Sequence, residues 1–228
     1  MKVSKNESGN IALAAVAVVV GLVVGFAVAR VADNNKTDTK ASSSTSASTG
    51  SSKKAVDLSN TLVTLGLEHM TLTNAAVDAA LDGSKTADAT GAALYANGNE
   101  IGAAVGSVYG ADAEKTFDSV WKLHLDEFVK YAVADSKGDE AGKKAALDSI
   151  DANYTKPLSA YLAKANPNLP EATLNTVLGD HVQMTATMID DHVQGKYADE
   201  QSQLKAANQH IVTIFTTLAG GIAKQKNL

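Results

Sequence analysis

The chain has 228 residues, 45% of them hydrophobic, with 17 Gly, 3 Pro and no Cys, and a formal charge of −5. Such a length suits one domain of ordinary size with accessory segments. The lack of cysteine excludes disulfides, thiolate metal sites and cysteine nucleophiles, and the net acidity argues against nucleic acid as a partner.

Residues 1–10 are expected to be a cytoplasmic N-terminus. Residues 11–31, IALAAVAVVVGLVVGFAVARV, are uncharged until Arg30 and long enough to cross a bilayer. Lys2 and Lys5 precede them, which puts the remainder of the chain outside by the positive-inside rule. The expected location is the cell membrane, single-pass, with an extracytoplasmic C-terminal domain. Ala27-Val28-Ala29 also fits a signal-peptidase site, so the alternative is secretion after cleavage near Ala29. Ala17, Gly21, Gly25 and Ala29 form a small-residue ridge that would let two copies pair as a dimer through the membrane helix.

Residues 32–56 are rich in Ser, Thr and Lys and poor in apolar side chains, the composition of a flexible linker. Residues 1–56 carry seven basic and three acidic side chains, so the whole-chain −5 leaves −9 for the domain at 57–228. An acidic ectodomain fits an envelope protein or wall polymer as partner better than anionic lipid.

From Asp57 onward apolar residues recur at helical spacing, and no strand-like alternation of useful length occurs. Gly83, Gly110, Gly138 and Gly195 suit the left-handed position after a helix end, and Pro170 suits a helix start. The expected fold is all-α: about six helices in a bundle of three repeated hairpins, 58–110, 111–167 and 168–225. Pro157 falls inside the fourth helix and predicts a kink.

The repeat is carried by three landmarks. His69, His124 and His181 each lie 14 residues before a turn glycine, Gly83, Gly138 and Gly195. Asn97, Asn153 and Asn208 lie 14, 15 and 13 residues after those glycines. At ~1.5 Å per residue each His and its Asn stand ~21 Å from the turn, so a His/Asn pair is expected to face across every hairpin. The stretch FDSVWKLHLDEFVKYA at 117–132 places His124 on the stripe of Phe117, Trp121, Phe128 and Tyr131. Leu62, Leu65, Leu72 and Ala76 flank His69 in the same way, and Leu174, Val177, Met184 and Met188 flank His181.

Two chemistries fit this pattern. One is a polar core layer in which each asparagine satisfies a buried imidazole. The other is a metal site, because three imidazoles from equivalent helices can converge on zinc or copper and leave a position open. His181, Met184, Met188 and His192 share a helix face, and thioethers beside imidazoles favour copper. The candidate ligands are therefore His69, His124, His181, Met184, Met188 and His192, with Asn97, Asn153 and Asn208 orienting the rings. His210, on the last helix, is a further imidazole in reach of that set. No His-Glu-x-x-His, Glu-x-x-His pair, Gly-x-Ser-x-Gly elbow or phosphate loop is present, which points to binding rather than catalysis. Asp126-Glu127 and Asp190-Asp191 read as solvated acids, and the glycines of GNEIGAAVG as permitting close helix packing.

The segments IGAAVGSVYG, WKLHLDEFVKYAVA, LAKANPNLP, LGDHV and HIVTIFTTLAGGIAKQ resemble a poorly characterised family of bacterial secreted or membrane-anchored helical proteins with repeated histidines. Some of its members carry a copper amine oxidase-like label. That label implies copper and a quinone made from the tyrosine of Thr-x-x-Asn-Tyr-Asp/Glu. Asn153-Tyr154 is present, but Ile150 stands in place of the threonine and Thr155 in place of the acid. The resemblance thus implies a helical fold, an extracytoplasmic location and an association with copper, and no particular reaction.

Overall fold

The Ser52 hydroxyl accepts from the Ala55 amide and caps helix α1, Lys53–Leu81. The computed structural model describes residues 52–228; the segments 1–10, 11–31 and nearly all of the expected linker lie outside the described residues. Helix α1 thus begins four residues before the boundary expected at Asp57. A side-chain cap ahead of an apolar stripe is enough to start a helix within a polar stretch.

Six more helices follow: α2 (Ala87–Tyr109), α3 (Ala111–Asp135), α4 (Glu140–Ile150), α5 (Lys156–Ala165), α6 (Glu171–Val193) and α7 (Tyr197–Lys226). A π-helical turn at Asp151–Thr155 joins α4 to α5, so the two form one interrupted return helix and the bundle counts as six. No strand occurs among the described residues, and no helix among them is long and apolar enough to cross a membrane.

The three sharp turns are built alike. Gly83, Gly138 and Gly195 have φ of 64°, 67° and 69°. After each, an amide reaches back five residues: Ser84 to Ala79, Asp139 to Ala134 and Lys196 to Asp191. That is a Schellman cap, which only a residue at ease with positive φ closes cheaply. Gly110 differs, with φ 92° and ψ 170°; it ends α2 and starts α3 in a single residue.

The kink expected at Pro157 takes the form of the π turn. A proline at 157 leaves the carbonyl four residues back without a helical donor. The chain responds by widening, and the Lys156 amide bonds to Asp151 O, five residues back.

Helix neighbours decide how the hairpins are arranged. Helix α1 packs on α2, α2 on α3, α3 on α4, α5 on α6, α6 on α7, and α7 back on α1, so the row closes into a ring. The outgoing helices α1, α3 and α6 also touch one another. Small residues let the walls approach. A Cβ at Gly66 would sit 2.3 Å from the Phe215 ring, and one at Gly98 2.8 Å from Trp121. The glycines of the 98–106 run thus do what close packing requires. At the opposite end Tyr109 donates to Gln225 (2.8 Å), Asn166 donates to Tyr109 (3.0 Å), and Gln225 donates to Ala165 O (2.7 Å). All three hairpins are tied together there.

Candidate metal centre

Because α1, α3 and α6 meet, their histidines meet. The His69 ring lies 5.8 Å from His124 and 6.0 Å from His181, centroid to centroid. All three are buried, and one nitrogen from each lies within 4.8 Å of the others. Their surroundings are aromatic: Trp121 meets His69 edge-on at 5.0 Å and His124 at 4.7 Å, and Tyr154 stacks on His124 at 4.3 Å.

The protonation state follows from burial. His69 is held down at about 4 by desolvation, which the neighbouring Asn97 amide only partly offsets. His181 is held down at about 3 by desolvation and by the proximity of His69 and His210. His124 is pushed well below the usual range by burial and by His69 and His181. At neutral pH the layer is three uncharged imidazoles, the form that ligates metals.

The ring nitrogens are incompletely partnered. The Nδ1–H of His124 donates to Trp121 O, which leaves Nε2 as the lone-pair nitrogen, and Nε2 has no partner. Nδ1 of His69 and Nδ1 of His181 have none either. Each unpaired buried polar atom costs about 1–3 kcal/mol. An ion ligated by these three nitrogens would remove all three penalties at once. The fit is close: nitrogens 4.8 Å apart at the widest stand ~2.8 Å from a common centre, and ligation at ~2.0–2.1 Å needs each ring to advance ~0.7 Å. A cavity of about 30 Å³, lined among others by Trp121, Tyr154, His181 and Ile101, adjoins the layer. It is large enough for one or two waters.

The expected asparagine partners separate three ways. Asn97 is buried beside His69 and donates to Leu65 O (3.1 Å), one turn before that histidine, and to Oε2 of the adjoining Glu68 (3.3 Å). Asn153 is exposed and bonds Ser149 instead, so it does not face His124. Asn208 is half-buried at the surface beside Leu67 and Leu204, with its Oδ1 unpartnered. The physical reason is the turn. Helix α2 begins four residues after Gly83, but α4 and α7 begin two after Gly138 and Gly195. Equal counts from the glycines therefore give different heights and faces, and the π turn rotates α5 further. Tyr154 occupies the place expected for Asn153. The proline three residues on was the one sequence signal of that shift.

His192 is also not where the helix-face pattern put it. It lies 11 residues beyond His181, ~16 Å along α6, and faces Asp78, Asp82 and Glu200. Met184 is half-buried one turn beyond His181, and Met188 is fully buried two turns beyond. His210 donates from Nε2 to Val177 O at 2.8 Å and ties α7 to α6.

The acids read as solvated are not simply so. Tyr131 donates to Asp190 (2.7 Å), and Lys143 bridges Asp190 (3.0 Å) and Asp135 (2.7 Å). Tyr95 donates to Asp126 at 2.6 Å, and Glu127 is buried against Lys130. Tyr95 and Tyr131 reach their acids from neighbouring helices and Lys143 joins α4 to both α3 and α6, whereas Lys130 pairs with Glu127 within α3. Comparison of the chain with protein-family models, with curated proteins and with solved structures finds no match.

Proposed function

We propose that this is a membrane-tethered, extracytoplasmic binding protein whose His69, His124 and His181 hold a copper or zinc ion. The observation that carries the reading is the meeting of three neutral, fully buried imidazoles, one from each hairpin, with a free ring nitrogen on each. Tethering rests on the apolar run at 11–31 and the lysines before it. The copper association of the resembling family agrees with the histidine set. His124, held by Trp121 O, presents one tautomer, as ligating histidines do.

A second reading is a structural or wall-binding module in which the layer is only core. The stacking of Tyr154 on His124 and the edge-on contact of Trp121 with His69 favour it, since packed rings fill volume without any ion. One experiment separates the two. The full-length chain in detergent is stripped with chelator, dialysed against Cu²⁺ or Zn²⁺ and analysed for bound metal beside His69→Gln, His124→Gln and His181→Gln. The metal reading expects one equivalent fewer in each variant. Unchanged metal content in all three folded variants would refute it and leave the structural module.

A further inference from the structure

A second group of ligating side chains stands at the turn end of the bundle. Asp78 and Asp82 close α1, His192 closes α6, and Glu200 sits in the first turn of α7. Nδ1 of His192 lies 3.1 Å from Asp78 Oδ1 and 3.2 Å from Glu200 Oε2, and its Nε2 lies 3.3 Å from Asp82 Oδ1.

Hydrogen-bond accounting leaves this group short of donors. Nε2–H donates to Asp82, and Nδ1 faces both Glu200 Oε2 and Asp78 Oδ1, so a single N–H there serves only one of the two carboxylates. Glu200 is 2% exposed, and its Oε1 has no partner. Asp78 Oδ1 makes no directed hydrogen bond. Asn74, itself buried, pins Asp78 by donating to Oδ2 at 2.7 Å, and its own Oδ1 is unpartnered. Acceptors converge, and one positive centre would satisfy them.

The spacing suits a metal ion. Ligand atoms of Asp78, His192 and Glu200 all lie within 4.8 Å of one another. Bonds of ~2.0–2.1 Å put neighbouring ligands ~3.3 Å apart in a tetrahedral shell, close to the 3.1 and 3.2 Å observed. The C-terminal ends of α1 and α6 add partial negative charge nearby. One imidazole with carboxylates suits Zn²⁺ or a similar divalent transition ion; Mg²⁺ and Ca²⁺ prefer oxygen alone and Cu⁺ prefers sulfur.

We infer that Asp78, His192 and Glu200 form a divalent transition-metal site, distinct from the three-histidine layer, with Asp82 positioning the His192 ring. It stands ~16 Å along α6 from His181 and does not depend on that layer's function. A carboxylate behind a ligating histidine fixes its tautomer, and its loss weakens binding ~10–100-fold.

The test uses the full-length chain in detergent, stripped and dialysed against Zn²⁺, in a His124→Gln background that disables the layer. One zinc equivalent is expected to remain, to disappear with Glu200→Gln, and to bind ~10–100-fold more weakly with Asp82→Asn. Asp82 has a side chain 63% exposed, so this variant keeps its fold and decides the matter should Glu200→Gln unfold. A folded His124→Gln chain without zinc overturns the site, and so does zinc affinity indifferent to both substitutions. Zinc content that is equal in wild type and His124→Gln refutes the layer's metal reading alone.

Discussion

Helix α6 carries two histidines in opposite electrostatic settings. His181 sits among imidazoles, tryptophan and aliphatic side chains, and burial holds it neutral. At His192 burial also works against the charge, but the carboxylates of Asp78, Asp82 and Glu200 outweigh it and raise the pKa. The difference teaches that neighbours from other helices, rather than the residue or its helix face, set what an imidazole does. In the three-histidine layer burial keeps the rings uncharged. The other cluster is a ready-made counter-charge.

Acidification is the largest expected effect. His69 and His181 fall to about 4 and about 3 from 6.5. The unfolded chain therefore binds more protons below pH 6.5, and stability drops as pH falls through that value. At pH 5 the loss is about 2 kcal/mol for each such histidine in the metal-free chain. Urea titrations at pH 7.5 and 5.0 should show it, and His181→Gln should shrink it. A stability that is flat between these pH values would break the contrast. His192 works in the reverse sense: its raised pKa gives stability that is full below pH 6.5 and is lost as pH rises through the folded value. His192→Gln should remove that descending limb.

Next in size is the support beneath the layer. Gly98→Ala drives a Cβ against Trp121, which braces His69 and His124. A loss of about 1–3 kcal/mol is expected by denaturation, with a changed tryptophan emission. An unchanged midpoint and spectrum would mean that the wall gives way freely. The asparagines come last and grade the repeat. Asn97→Ala removes a buried amide that donates to Leu65 O and to the exposed Glu68 carboxylate, and losing the two hydrogen bonds should cost about 1–3 kcal/mol. Asn153→Ala, at the surface, should stay within about 0.5 kcal/mol. Equal losses would restore the equivalence that spacing suggested.

Much of the fold was legible. The three glycines, the 14-residue intervals and the apolar stripes named the hairpins and turned the histidines inward, and the turns proved identical in their caps. Asn153 was misplaced because counting from a glycine ignores turn length and the π turn before Pro157. Tyr154 carried no signal beyond that proline. His192 was assigned to the wrong group because a helix face lists what one helix presents and omits what meets it.

Periodicity and turn chemistry are local: they depend on residues three to five apart, and the sequence alone determined helices, hairpins and inward histidines through them. Ring closure is not local. It arises from α7 returning to α1, where Gly66 admits the Phe215 ring, and it brought Asp78 to His192 and the three imidazoles to one another. The meetings of His69, His124 and His181 and of Asp78 with His192 are fixed by packing between segments more than 50 residues apart, and only the tertiary structure decided them.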